Sequence, residues 1–191
     1  MAFSPPVAVY DACILYPFHL RNIVVQVALD GLVDARWTDA IHDEWMRNLL
    51  ANTPGLSAEH LAATKRLMDI ALPEATVAGY EKHIQAVSLP DPNDRHVAAA
   101  AIAAGASTIV TWNLRDFPPA ELRKHGLVRL SPDAFLADLY EQAPEMLLGS
   151  LANARHNLSR SRVSVSGFIG ILRQQGLAKL TAQIAKHLDD L

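Results

Sequence analysis

Short apolar segments that alternate with helix-like segments are the feature that most restricts how this chain can fold. Residues 7–10 (VAVY) form such a run, and residues 107–111 and 127–130 have a similar character. Runs of this length without polar alternation are typical of strands buried on both faces. Across residues 19–30 the apolar positions instead recur at helical spacing. We therefore expect an α/β fold, with three layers (α/β/α) around a mostly parallel central sheet.

Capping residues predict where several helices begin. Asp39 is expected to cap a helix from Ala40 to about Leu50, and Ser57 a helix that ends near Ala71. The other predicted elements are strands at 33–38 and 86–89, helices at 74–84 and 92–104, and a helix that starts at Pro132 after a cap at Ser131.

The alternation of strands and helices stops after Pro144, and three helices are predicted in its place, at 145–158, 164–175 and 177–188. We therefore expect a main domain over residues 1–143 and a helical C-terminal extension over residues 144–191. A chain of 191 residues is long enough to bury a core, because proteins of this size bury ~70% of their unfolded surface.

Charge is distributed unevenly, although the net charge is only -3. Residues 1–150 hold 11 Lys and Arg against 18 Asp and Glu, whereas residues 151–191 hold 6 against 2. A positive segment of this kind is typical of a surface that binds a polyanion or an acidic partner, and equally of a solvated helical face.

Several classes of protein are disfavoured by composition. A single cysteine, Cys13, is incompatible with an internal disulfide framework or a cysteine-built zinc site. The first ten residues lack the pattern of a signal peptide, and the longest apolar stretch, at 97–112, is shorter than the ~20 residues of a membrane span. We therefore expect a cytoplasmic location and no membrane partner.

Two acids stand where α/β folds form their sites, at the carboxyl ends of the strands. Asp11 follows the first strand inside an apolar run, where a lone buried carboxylate is costly; capping of the next helix is the alternative role. Glu44 lies on or beside the stripe of Ile41 and Trp45 that faces the core. Its alternative role is a favourable interaction with the helix dipole.

The segment LPDPNDRHVAAAA carries two more acids in front of an apolar helix. Asp91 suits the cap position and Asp94 the third helical position, where a capping box would also place an acid. Asp94 shares a helix face with Val97 and Ala98, and this face is expected to pack on the sheet. The carboxylate of Asp94 is therefore predicted to lie near the strand edge.

A fourth segment, TIVTWNLRDFP, places Asn113 and Asp116 just after a buried strand that ends at Thr111. Taken alone, it is an ordinary transition from strand to turn. Together, however, the four segments bring acids and an amide to the same region, and clustered carboxylates repel unless a cation joins them. Oxygen ligands without a cysteine or a histidine pair suit Mg²⁺ or Mn²⁺.

The motifs VYDACIL, IHDEWMRNL, DPNDRHVAAAAIAAGA and IVTWNLRDF, in this order, resemble those of a PIN domain, specifically the VapC-type toxin ribonucleases of prokaryotic toxin-antitoxin pairs. The resemblance covers residues 7 to about 140, and the helical tail is similar to an extension carried by some of these toxins. It implies that Asp11, Glu44 and Asp94 are the core acids. The fourth family position falls on Asn113, a weaker ligand than Asp, so Asp116 or a bound water is expected to act there.

The resemblance assigns metal binding to Asp11, Glu44, Asp94, Asn113 and Asp116, and catalysis to the four acids among them. Asp91, Thr111 and Arg115 are candidates for supporting roles, with a purely structural role as the alternative for each. It implies a Mg²⁺- or Mn²⁺-dependent endoribonuclease, the toxin of a type II toxin-antitoxin pair, that hydrolyses RNA phosphodiester bonds with metal-activated water. RNA, a cognate antitoxin protein and a second copy of the chain are the implied partners.

Two alternatives remain open at this point. One is a PIN-fold module that binds RNA or protein with little or no cleavage, a reading favoured by Asn113 in place of Asp. The other is a phosphatase of the haloacid dehalogenase class, which needs a second acid two residues after the first, where this chain has Cys13.

Overall fold

The computed structural model describes residues 3–159 and 161–191. A four-stranded sheet with the order β2-β1-β3-β4 forms its centre, and every neighbouring pair of strands is parallel. The predicted α/β fold is therefore confirmed, with a sheet that is parallel throughout. The strands are β1 Val7–Tyr10, β2 Asp34–Arg36, β3 Thr108–Val110 and β4 Val128–Leu130.

Helices cover the sheet and continue beyond it to the C-terminal segment. The α-helices in the described ranges are α1 Ala12–Leu15, α2 Phe18–Leu29, α3 Asp39–Asn52, α4 Ala58–Ala71, α5 Arg95–Ala103, α6 Pro119–Arg123, α7 Pro132–Gln142, α8 Pro144–His156, α9 Val165–Gln174 and α10 Ala178–Gln183. Short 3₁₀ turns lie at Pro73–Ala75, Glu81–Ala86, Pro92–Asp94, Leu114–Asp116, Ile184–Lys186 and Leu188–Asp190. None of the described helices is both long enough and apolar enough to cross a membrane.

The caps at Ser57 and Ser131 are confirmed, because each hydroxyl accepts a backbone N–H from the first turn of its helix. The cap predicted at Asp39 is wrong by one residue. Thr38 caps α3, and its hydroxyl accepts the Ile41 N–H at 3.1 Å. Thr38 keeps the extended backbone of the preceding segment, so its side chain can turn back onto the first helical turn.

The helix predicted at 74–84 and the strand predicted at 86–89 are both wrong. The structure has only the 3₁₀ turns Pro73–Ala75 and Glu81–Ala86 there, and residues 86–89 form no strand. Gly79 separates the two turns with φ +70, a left-handed conformation that ends a helix. Ala75 and Val77, and likewise Val87 and Leu89, are buried on either side of an exposed residue, which is not a helical spacing.

The helix predicted from residue 92 begins at Arg95, after the 3₁₀ turn Pro92–Asp94. Asp91 causes the tighter turn, because its side chain accepts the Asn93 N–H at 2.8 Å. Asp94 is the residue that precedes α5, and its side chain makes no capping hydrogen bond. The capping-box role for Asp94 is therefore wrong, and its carboxylate is available for other contacts.

The C-terminal helices share the core of the sheet region. Leu147 and Leu151 of α8 are buried in the same apolar cluster as Ile23 and Val27 of α2. Polar contacts follow the same interface, since the Asn22 side chain donates to the Ala154 carbonyl at 2.7 Å. The division at residue 143 stays a prediction, but α8 packs directly on the helical layer.

Candidate metal centre

A polar cavity of about 530 Å³ lies at the carboxyl end of the sheet. Four acids from three separate segments face it, together with the amide of Asn113. Glu44 comes from α3, the next two acids come from the turn before α5, and the last comes from the turn after β3. The acids are Glu44, Asp91, Asp94 and Asp116.

Asp11 lies next to this cavity but is only 3% exposed. It directly follows β1 and caps α1, because its Oδ1 accepts the Ala12 N–H at 2.7 Å. Its Oδ2 accepts the Thr111 hydroxyl at 2.6 Å and the Cys13 thiol at 3.2 Å. Burial raises the pKa of Asp11, and these hydrogen bonds oppose the rise. The capping role of Asp11 is therefore confirmed, and its second carboxylate oxygen is held by Thr111 and Cys13 beside the cavity.

The carboxylate of Asp94 is affected by the negative charges of the other acids. Its pKa is raised to about 6, first by burial and then by the negative charges of Asp11, Asp91, Asp116 and Glu44. Carboxylates raise each other's pKa in this way only when they lie close together. A cation among them would relieve the repulsion.

Glu44 is placed by the packing of α3. The next residue, Trp45, is fully buried, so Glu44 lies at the flank of the core-facing surface and is half-buried. Its Oε2 lies 3.5 Å from Nε2 of His96, the second residue of α5. Glu44 therefore connects the helical layer to the segment that carries Asp94.

Thr111 organises the strand end. Its hydroxyl donates to Asp11 and accepts the Asn113 N–H at 2.9 Å. The 3₁₀ turn Leu114–Asp116 then brings Asp116 to the cavity. Thr111 thus links the end of β1 to the turn after β3. The sequence had suggested only a supporting role for this residue.

Most of the predicted site residues come together, with one clear exception. Arg115 is exposed and does not line the cavity. The sequence reasoning missed several lining residues: Arg47, Asn48, Asn93 and His96. Two of these carried a usable signal, because Arg47 and Asn48 follow Glu44 by three and four residues and so share its helix face.

The donor set fits a hard divalent cation. In the described residues, no three acids, histidines or cysteines stand close enough together to ligate one ion directly. Mg²⁺ does not require such a cage, since it keeps several waters and is commonly bound through one or two carboxylates. Carboxylate and amide oxygens around one polar cavity satisfy this requirement.

The sequence model described as "PIN domain" matches residues 7–115, and one described as "VapC50 C-terminal domain" matches residues 132–186. The first match covers more than half of the chain, so the chain belongs to the PIN domain family. Within that family it is of the VapC type and carries a C-terminal extension, as its motifs predicted.

A relative from Mycobacterium tuberculosis (strain ATCC 25618 / H37Rv), named "Putative ribonuclease VapC50", is 42% identical over 64 residues. This match spans 32% of the present chain and 38% of the length of the relative. No solved structure matches the chain.

Proposed function

We propose that this protein is a Mg²⁺- or Mn²⁺-dependent endoribonuclease and the toxin of a type II toxin-antitoxin pair. One observation carries the proposal: acids from three separate segments face one cavity beside the buried Asp11, and their charges act on Asp94. Membership of the PIN domain family supports the same reading, and the name of the M. tuberculosis relative supports RNA as the substrate.

We assign the ion to Asp11, Glu44, Asp94, Asp116 and Asn113. When bound, the ion would lower the pKa of a coordinated water and neutralise phosphate charge. Asp116 supplies the acid that Asn113 lacks, since both line the same cavity.

The chain does not use its cysteine as a nucleophile in this proposal. Cys13 contacts both Asp11 and Thr111, but burial and the charge of Asp11 raise the pKa of its thiol to about 12. At neutral pH the thiol stays protonated, and the thiolate is the reactive form. Water is therefore the attacking group.

Phosphate binding falls to Arg47, because it lines the acidic cavity whereas Arg115 does not. Arg47 extends from the same helix face as Glu44 and brings a positive charge next to the acids. A guanidinium can bind two phosphate oxygens at once. Arg47 would thus hold the scissile phosphate while the acids hold the ion.

The decisive experiment compares Mn²⁺-dependent cleavage of a labelled RNA by the wild-type chain and by Asp94→Asn. We expect cleavage by the wild type, none after chelation with EDTA, and a loss of at least about tenfold in the variant. The exposed Asp43 lies next to Glu44 but outside the cavity, so Asp43→Asn is the matched control and should cleave normally. Equal cleavage by wild type and Asp94→Asn would end the proposal.

The alternative is a PIN-fold module that binds RNA or protein without cutting, and Asn113 in place of an acid favours it. In that case RNA or protein binding would survive in Asp94→Asn, and neither protein would cleave. The same comparison therefore separates the two functions.

The remaining assignments are a cognate antitoxin, a homodimer, a cytoplasmic location and a nuclease domain over 1–143 with an extension over 144–191. An adjacent small open reading frame that encodes a DNA-binding protein would identify the antitoxin. Co-expression followed by purification on a tag of this chain should then recover both proteins, and light scattering of this chain alone would report the dimer.

A further inference from the structure

Trp112 is a large aromatic side chain that stays exposed next to the acidic cavity. It is 38% exposed, whereas Trp37 and Trp45 are both 0% exposed. It directly precedes Asn113, which lines the cavity. Its position is therefore one residue from the wall of the proposed nuclease site.

The backbone of Trp112 is held in place. Its N–H donates to Cys13 Sγ at 3.3 Å. On one side Thr111 is bonded to Asp11, and on the other Asn113 is bonded to Thr111. The indole therefore projects from the same hydrogen-bonded network that orients Asp11.

The far end of the indole is braced by the C-terminal extension. Gly176, between α9 and α10, lies against the six-membered ring, and a Cβ at this position would stand 3.2 Å from Cη2 of Trp112. Gly176 also has φ +80, which a side chain would make strained. Held at both ends, the ring loses little conformational freedom when a ligand contacts it.

We propose that Trp112 is a stacking platform for one base of a single-stranded RNA, whose neighbouring phosphate enters the acidic cavity. The inference rests on the proposed ribonuclease function and names how the substrate is positioned. Aromatic side chains beside a phosphate-binding site are the usual means of holding unpaired bases, and every base offers a face for stacking.

Charge around Trp112 favours the same ligand. Arg115 is exposed three residues later, and Arg173 is exposed one helical turn before Gly176. Each of the two segments that meet at the contact between Trp112 and Gly176 thus carries an exposed arginine, and basic side chains near an aromatic ring suit the phosphates and bases of a single strand. The positive extension and the acidic main domain then contact different parts of the same nucleotide chain.

Tryptophan fluorescence gives a direct test, because a quencher that acts by contact reaches Trp112 and not the two buried tryptophans. The probe is a twelve-residue oligouridylate in a Ca²⁺ buffer, with a gel to show that it stays intact. We expect quenching of the full chain by this oligomer and almost none by an abasic oligomer of equal length, which has the phosphates without the bases. Trp112→Phe should abolish the signal and keep the binding within about threefold.

Trp112→Leu removes the aromatic face and keeps an apolar side chain, so its affinity for RNA tests stacking while its melting temperature reports the lost packing on Gly176. We expect its Kd for the oligouridylate, measured by anisotropy, to rise about tenfold. In cleavage assays KM should rise more than kcat falls. An unchanged Kd together with a lower melting temperature would show that Trp112 only anchors the extension, and would overturn the inference.

These readouts are independent of cleavage. Quenching by bases without any Mn²⁺-dependent cleavage would contradict the proposed function but would still support base stacking on Trp112. Cleavage with equal affinity for the oligouridylate and the abasic oligomer would contradict the role of Trp112 alone, as would a wild-type chain that cleaves but shows no quenching.

Discussion

The hydroxyl of Thr111 donates a 2.6 Å hydrogen bond to Oδ2 of Asp11, which joins the ends of two adjacent strands from positions 100 residues apart. Both side chains are buried, Thr111 completely. The bond also offsets part of the rise in the pKa of Asp11 that burial causes. Under the proposed function, Thr111 is therefore a positioning residue for Asp11.

Thr111→Val should remove this bond with little change in shape. We expect the free energy of unfolding to fall by about 1–3 kcal/mol, because a buried carboxylate loses a partner, and the pKa of Asp11 to rise further. Urea denaturation measures the first effect, and the pH profile of Mn²⁺-dependent RNA cleavage reports the second. Thr111→Ser restores the hydroxyl and should recover cleavage; a valine variant as active as the serine variant would refute the positioning role.

Glu44→Gln should weaken metal binding while preserving the fold. The amide keeps the size of the side chain but removes one of the charges that face the cavity. We expect Mn²⁺ affinity, measured by isothermal titration calorimetry, to drop at least about tenfold, with the melting temperature nearly unchanged. Asp43→Asn, on the adjacent exposed position, should bind Mn²⁺ like the wild type. Equal effects of the two substitutions would point to net charge and not to a ligand.

Arg47→Gln should impair cleavage more than metal binding. The guanidinium lines the cavity and is positioned to bind phosphate, so its loss is expected to lower kcat/KM about tenfold or more. Mn²⁺ affinity should stay the same or improve, because a positive charge has been removed from the site. Arg66 is exposed on α4, away from the cavity, and Arg66→Gln is the control. A loss of Mn²⁺ binding in Arg47→Gln would show that Arg47 holds the acids in place, and would contradict a role confined to phosphate binding.

Arg173→Gln should reduce the salt dependence of RNA binding. Each phosphate contact on a single strand contributes about 0.7 to the slope of log affinity against log salt concentration. We expect the slope to shrink by about that amount, with no change in the preference for particular bases. Substitution is a better test than deletion of the extension, because Leu147 and Leu151 are buried in the shared core. A slope equal to that of the wild type would remove Arg173 from the RNA surface.

The buried His42 should make the protein less stable in acid. Its Nδ1 accepts the Trp45 indole N–H at 3.0 Å, so the proton lies on Nε2, which faces Asp69 at 3.7 Å. Burial lowers the pKa of His42 from 6.5 to about 4, an effect that the charge of Asp69 only partly offsets. The unfolded chain therefore takes up a proton between pH 6.5 and about 4 while the folded chain does not.

Over that pH window the free energy of unfolding should fall by about 3 kcal/mol, at about 1.4 kcal/mol for each pH unit. Above pH 6.5 the contribution of His42 is complete and constant. His42→Gln keeps an acceptor for Trp45 and should flatten this part of the stability curve. Denaturant titrations at several pH values measure the difference between the two proteins, and parallel curves would show that His42 does not carry the dependence.

The strands and the acids at their ends could be predicted because each is encoded locally. A run such as VAVY followed by Asp11 needs no knowledge of the rest of the chain to indicate a buried strand and a site at its end. The segment at 74–89 failed for the opposite reason. The segment pairs with a distant part of the chain, as in the backbone bridge between Thr76 and Trp37, and local spacing cannot reveal that.

The candidate site divides in the same way. Glu44 and Asp94 were found from their helix faces, and Arg47 could have been, since it follows Glu44 by three residues on α3. The contact between Trp112 and Gly176 could not be predicted, because it joins a strand end to a turn 64 residues later through the absence of a side chain. Only the folded chain shows that the extension reaches the acidic edge of the sheet.

Gly176 has no side chain, and the ring of Trp112 occupies the space next to its α-carbon. Substitution at position 176 is therefore constrained twice, by the left-handed backbone of the turn between α9 and α10 and by the ring of Trp112 in the main domain. A residue without a side chain thus makes a contact between the main domain and the C-terminal extension.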